Sequence, residues 1–299
     1  MKQFFEMVVV IPVGPGCRPE YIGDTINSLV YYSRSSFKII LADDSHKGTG
    51  KRVQEQWPDV DLLPMKAPMG KLCGLYITLS LAFRHALDRY RFDVLLRMDT
   101  DALVIGKAPE KEAIALIKSD PGIGIAGQYP FDYNGLPWDI SWPKSKLQWI
   151  TNRKMGLLLN PLPHWRLRKL HRRAVAKGYR TGESVFGGAC FYSEACLLAL
   201  EAAGLLPHHG LRSIKLEEDH LFALLASSIG FRLGDLSSGN LPFGCAWKGL
   251  PASPARLFDS GKKIIHSTRF WENMGEEEIR AFFKRKREQP VTEHHLYIS

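Results

Sequence analysis

The run Met7-Val8-Val9-Val10-Ile11-Pro12-Val13 is apolar without alternation, the pattern of a strand buried on both faces. A second run, Phe37–Ala42, ends in Asp43-Asp44-Ser45. Between them, Pro19–Tyr32 carries Tyr21, Ile22, Ile26, Leu29 and Val30 at helical spacing, so the three segments predict β–α–β, the unit of a parallel sheet. From Lys71 to Arg89, just after Gly70, the residues Leu72, Leu75, Tyr76, Leu79, Phe83 and Leu87 recur at three- and four-residue steps and predict a helix. A third strand, Asp93–Met98, runs into Asp99-Thr100-Asp101. The first hundred residues thus predict a doubly wound α/β half with acids at two strand ends. Ligands of such sheets bind beyond the carboxyl ends of the strands.

Beyond Asp101 the alternation weakens. A helix is expected over Glu110–Ser119, a short strand over Ile123–Gly127, and strand character over Ser184–Tyr192 around Gly187-Gly188. Helices over Glu194–Ala203 and Glu217–Ile229 each stop at a glycine. The tail reads as a strand, Lys262–His266, and a helix, Glu276–Lys286; Tyr129–Arg180 shows no period that places its elements. With no repeat and no low-complexity linker, the chain is expected to be one domain over 1–299. It would comprise a first half (1–101), a second part (102–270) with a basic insertion at 140–182, and a basic C-terminal helix and tail (271–299).

Composition adds exclusions. At 45% hydrophobic and 24% charged over 299 residues, the chain is neither disordered nor collagenous. No apolar stretch approaches the ~18–20 residues of a membrane span, and Met1–Glu6 does not resemble a secretory signal, so a cytoplasmic location is expected. Cys17, Cys73, Cys190, Cys196 and Cys245 are scattered without a CxxC pair, the spacing of reduced cysteines rather than of a zinc site. The net charge of +9 is uneven. From Ile140 to Gly182 there are eleven Lys and Arg and no acid, and Lys284-Arg285-Lys286-Arg287 forms a second cluster. Such patches attract phosphate, on a nucleotide, a lipid headgroup or a nucleic acid, unless they are solvated faces.

Asp99-Thr100-Asp101 is the sharpest chemical signal. On an extended backbone residues i and i+2 face one side, and two hard oxygen donors so placed suit Mg²⁺ or Mn²⁺. The alternative is a surface turn in which the carboxylates cap backbone amides.

In order and spacing the chain resembles GT-A nucleotide-sugar glycosyltransferases, especially the family 2 group, over roughly residues 7–270. Val8–Val13 is similar to the family's first strand, with Pro12 and Val13 near the nucleotide. Asp43-Asp44-Ser45 is similar to the acidic end of its second strand, which binds the base, and Gly70-Lys71 to a stretch near the diphosphate. Asp99-Thr100-Asp101 resembles the metal motif, and Val185–Cys190, with Gly187 and Gly188, the strand lining the donor-sugar pocket. Glu217-Glu218-Asp219 looks like the Glu-Asp pair that begins a helix. Its Asp, here Asp219, would be the general base of an inverting enzyme, with Glu218 beside the donor. His266 resembles a third metal ligand of some members.

The resemblance implies a GT-A fold, α/β with a mostly parallel, Rossmann-like central sheet, in which 1–101 would be the nucleotide-binding half and 102–270 the acceptor and donor-sugar half. It implies a metal-dependent transferase of hexosyl type using Mn²⁺ or Mg²⁺ and a nucleotide-sugar, UDP-sugar being expected. Its acceptor would be a hydroxyl in cell-surface or lipid-linked glycan synthesis. The basic segment, with Trp149, Ile150, Met155, Leu157, Leu158, Leu159, Leu162, Trp165, Leu167 and Leu170, suits an anionic membrane surface or a lipid-linked acceptor. A nucleotidyltransferase would carry a glycine-rich basic loop after the first strand, of which Gly14–Arg18 is a faint version. A nucleic-acid partner is disfavoured by the lack of any recognisable binding motif, and a non-catalytic binding protein by the retained acids.

Overall fold

A computed structural model describes residues 2–152 and 161–288. Six elements build the first half: β1 (Gln3–Val13), α1 (Pro19–Tyr32), β2 (Phe37–Asp43), α2 (Thr49–Gln56), β3 (Asp61–Pro64) and α3 (Cys73–Arg89). They are followed by β4 (Tyr90–Met98), β5 (Ala102–Val104), α4 (Pro109–Ser119), β6 (Ile123–Gly127), α5 (Ser141–Asn152) and α6 (Pro161–Ala176). Next come β7 (Ala189–Ser193), α7 (Glu194–Ala202), α8 (Glu218–Ile229), β8 (Arg232–Asp235), β9 (Phe243–Cys245) and α9 (Pro254–Asp259). The chain closes with β10 (Ile264–His266), a hairpin of β11 (Phe270–Trp271) and β12 (Met274–Gly275), and α10 (Glu276–Glu288).

The strands assemble in the order β3-β2-β1-β4-β7-β6-β8. β3, β2, β1 and β4 run parallel, β7 is antiparallel to both its neighbours, and β8 is parallel to β6. The expected α/β class, a mostly parallel central sheet flanked by helices, is therefore what the chain adopts. The apolar run of β1 is buried throughout Met7–Val13 because helices cover both sides. Val8 and Val10 belong to an apolar cluster with α3, α7 and α8 on one face, whereas Met7, Val9 and Ile11 belong to a cluster with α1, α2 and α4 on the other. A second, three-stranded sheet, β5-β10-β9, sits at the carboxyl end of β4 with its own apolar cluster against α9 and α10.

Several boundaries differ from expectation for local reasons. The helix after Gly70 begins at Cys73, because Gly70 and Leu72 take positive φ. There the chain folds back so tightly that a Cβ on Gly74 would lie 2.0 Å from the Met69 carbonyl oxygen. Strand structure near the glycine pair is confined to Ala189–Ser193, leaving 184–188 irregular. The unplaced segment supplies α5 and α6, whose inner residues Leu147, Ile150, Leu167, Leu170 and Ala174 join the cluster beneath α8. Ile150, Leu167 and Leu170 are thus core residues, not part of an exposed apolar surface. Arg153, Lys154, Met155 and Leu157–Leu159 lie outside the described residues. The C-terminal basic cluster is also partly internal: Arg287 is buried and ion-paired with Asp24.

Phe222 on α8 is fully buried, with ring centroids 5.1 Å from Tyr76, 5.4 Å from Phe83 and 5.6 Å from Tyr192. Phe222→Ala is expected to cost about 3–5 kcal/mol, read as a lower urea midpoint at unchanged m-value.

Candidate metal centre

In β4, Leu95 and Arg97 face one side of the sheet and Val94, Leu96 and Met98 the other. Arg97 is consequently forced into an apolar layer, where its side chain is 2% exposed. Burial disfavours its charge, but Asp99 and Glu218 outweigh that and raise its pKa. Its Nη2 lies 2.9 Å from Asp99 Oδ1 and donates to Glu218 Oε1 at 3.0 Å.

The carboxylates of Asp99 and Asp101 converge through a turn closed by the Ala102 amide on the Asp99 carbonyl at 3.1 Å, not through extended backbone as the sequence suggested. Each has one oxygen tied back and the other turned to His266. Asp99 Oδ1 is held by Arg97, and its Oδ2 is 3.8 Å from His266 Nε2. Asp101 Oδ2 accepts from Ser267 Oγ at 2.8 Å and pairs with Arg269 Nε at 2.8 Å, while its Oδ1 is 3.4 Å from His266 Nε2. Burial would raise the Asp101 pKa, yet the bond and charge of His266 when its ring is protonated, the Arg269 charge and the Ser267 hydroxyl bring it well below the usual carboxylate range.

His266 Nδ1 is 3.0 Å from the Ala246 carbonyl oxygen. A carbonyl only accepts, so Nδ1 carries the hydrogen, and in the neutral ring Nε2 presents a lone pair. Three acceptor atoms thus meet, all within 4.8 Å of one another. Without a cation between them they repel. A second ring proton would relieve part of this, whereas a divalent ion relieves all of it. Two carboxylate oxygens fit an oxygen-seeking ion with bonds of about 2.1 Å, and the imidazole nitrogen favours Mn²⁺ over Mg²⁺.

The glycine pair separates this centre from Asp219. A Cβ on Gly188 would lie 2.5 Å from the His266 ring, and one on Gly187 3.0 Å from Asp219 Cβ. Gly188 therefore makes room for the imidazole. Asp219 is half-buried in the first turn of α8, and its Oδ1 accepts from the His220 amide at 2.8 Å. Glu217 is paired with Lys146 of α5 at 2.5 Å, which brings the basic segment to the edge of the site.

The other sequence candidates sit at the ends of β1 and β2. Pro12 and Val13 pair with Ala42 and Asp43, and the Val13 carbonyl accepts from the Asp44 amide at 2.9 Å. Asp43 accepts from the amides of Ser45 and Gly50, both at 2.9 Å, and so anchors the start of α2. Asp44 accepts from the amides of Met69 and Gly70 at 3.0–3.2 Å, which holds the loop carrying the exposed Lys71. Both carboxylates thus have backbone partners before any ligand is considered. Arg97 and Ser267 were missed as site residues. A charge inside the apolar run Val94–Met98 was the available signal for Arg97; Ser267 had none beyond its place next to His266.

No family model matches the sequence, and no curated protein matches it. Among solved structures the chain is similar to the mannosyltransferase PcManGT from Pyrobaculum calidifontis in complex with GDP-Man and Mn²⁺, with TM-score 0.45 and 15% identity over 77% of this chain and 54% of that one. It is also similar to S. aureus TarS 1–349 (0.48, 15%, 100% and 76%) and to the bifunctional glycosyltransferase WbbM (0.48, 11%, 93% and 49%). The chain spans about half the length of the first and third of these.

Two carboxyl groups, those of Asp99 and Glu218, flank one buried guanidinium, and Asp219 follows Glu218 in the chain. Glu218 is pushed up to about 8, by burial first and then by the charges of Asp219 and Asp99, against the pull of Arg97. The folded state therefore holds a proton that an unfolded Glu, at 4.5, has released. Stability contributed by this proton is lost as pH rises from about 5 to 8. In metal-free buffer, Glu218→Gln is expected to flatten the fall in Tm across that window. A slope identical to that of the unsubstituted protein would refute the assignment.

A second test addresses packing. Gly188→Ala is expected to displace the His266 ring and weaken Mn²⁺ binding at least ~10-fold by calorimetric titration, because one of three ligands is lost.

Proposed function

We propose that the protein is a metal-dependent glycosyltransferase that moves a sugar from a nucleoside-diphosphate donor to a hydroxyl acceptor with inversion. One observation carries this reading: Asp99, Asp101 and His266 converge at the carboxyl end of β4, with His266 Nδ1 already committed to Ala246. A divalent ion at these ligands would act as Lewis acid for the departing diphosphate. Arg269, whose side chain is largely exposed beside Asp101, adds a second positive charge at the same place. Lys71 and the ends of β1 and β2 border the nucleotide, with UDP the expected base-bearing group. Asp43 and Asp44 then reach the base only through lone pairs that the backbone amides leave free.

Asp219 takes the proton of the acceptor hydroxyl. The hydroxyl oxygen bonds the anomeric carbon while the carbon–oxygen bond to the diphosphate breaks, and the nucleoside diphosphate leaves with the electron pair. Gly187 leaves the space beside the Asp219 carboxylate uncovered by a side chain. The acceptor is a glycan, lipid-linked or at the cell surface, which enters past Glu217 and α5.

Thermal melts with UDP and GDP, with and without Mn²⁺, test the donor site. A ligand at about 100 times its Kd adds ~2.7 kcal/mol, so a clear Mn²⁺-dependent shift is expected with one nucleotide and its loss in Asp101→Asn. Asp219→Asn should keep that shift and lower transfer by ~10²-fold or more. Folded protein that shifts with no nucleoside diphosphate would end the proposal.

A further inference from the structure

We propose that the outer faces of α5 and α6 form a docking surface for an anionic phospholipid membrane, placed beside the candidate base. This rests on the transferase reading only for its purpose; the surface itself follows from the residues. Both helices turn their inner residues onto one apolar cluster, Leu147 and Ile150 from α5 and Leu167, Leu170 and Ala174 from α6, so their outer faces look away from the same core. His164 Nδ1 lies 3.1 Å from the Ile150 carbonyl oxygen and ties the pair together.

The outer faces carry side chains that water does not favour. Trp142 is 58% exposed, Trp165 56% and Leu162 63%. On α6 the exposed positions Leu162, Trp165, Lys169, Arg172 and Ala176 repeat at three- and four-residue steps, so they form one stripe, apolar at its start and cationic further along. Each tryptophan has a lysine one turn on: Lys146 Nζ is 4.6 Å from the Trp142 ring centroid, and Lys169 Nζ 5.4 Å from that of Trp165. An indole with an adjacent ammonium matches the boundary between acyl chains and phosphate headgroups. The segment from Ile140 to Gly182 has no acid to oppose an anionic surface. A nucleic acid would use the cations and stack on the indoles, but Leu162 offers a base no π-face, whereas a bilayer accepts all three groups. The Lys146–Glu217 pair joins this surface to the start of α8, so docking would hold Asp219 next to the membrane plane.

Vesicle flotation tests this without donor or metal, so its failure is separate from failure of the transferase reading. The protein is expected to float with vesicles of phosphatidylcholine and phosphatidylglycerol at ~0.05 M salt, not with phosphatidylcholine alone. It should detach as salt rises and shorten the Debye length, with a blue shift of tryptophan emission while bound. Lys169→Glu with Arg172→Glu and Arg173→Glu should weaken binding by about 100-fold or more, at about fivefold per cation lost. Trp142→Ala with Leu162→Ala and Trp165→Ala should weaken it by ~10-fold and abolish the blue shift. Both variants should retain the melting temperature of the parent. No flotation of folded protein overturns the proposal. So does flotation that neither variant reduces, or charge-dependent binding to poly(U) with none to vesicles.

Discussion

The guanidinium of Arg97 is the contact on which the site depends. An unpaired cation at that depth would cost several kcal/mol, so the fold must supply hydrogen-bonding carboxyl partners there. It supplies Asp99 from just beyond the end of β4 and Glu218 from the first turn of α8, both within 3.0 Å. The end of β4 and the start of α8 are thereby fixed to each other. The candidate metal ligand Asp99 is one of these two groups and the candidate base Asp219 adjoins the other, so their relative position follows from contacts with one guanidinium rather than from loop packing.

Around this pair the chain brings in parts from far along its length. β10 enters the small sheet between β5 and β9, which lays His266 opposite Ala102 and beside Cys245. The following residue, Ser267, binds Asp101 across 166 positions of sequence. On the outer side, Arg280 of α10 donates to the Thr100 carbonyl at 2.6 Å and pairs with Asp24 of α1 at 3.0 Å. Helix α10 therefore braces the turn between the two candidate metal-binding aspartates. A charged tail in the sequence proves to be a buttress in the fold.

The basic segment divides in a similar way. One side of α5 and α6 completes the core under α8, which explains why its leucines and isoleucine could not be read as a uniform surface. The other side is cationic and aromatic and ends next to Glu217. Lys146 belongs to both, stacked near Trp142 and ion-paired with Glu217, and through it the segment touches the site.

The sequence by itself determined the parallel strands β1, β2 and β4 of the central sheet and half the centre. Periodicity finds β1, α1, β2, α3 and β4 because each buries a face whose spacing is set by its own backbone, and the acids after β4 announce themselves by local position. It also suggested His266 through resemblance, though nothing local marks that residue as a ligand. The tertiary structure alone decided that Asp99 and Asp101 meet through a turn, and that Arg97 is caged between two carboxylates. It alone showed Gly188 yielding its space to an imidazole, and Arg280 holding Thr100. These depend on contacts between residues far apart in the chain, where the partner and not the spacing selects the conformation. Short elements such as β5, β9 and the β11–β12 hairpin stayed hidden for the same reason. Two or three residues carry no period, and they become strands only when a neighbouring strand provides their hydrogen bonds.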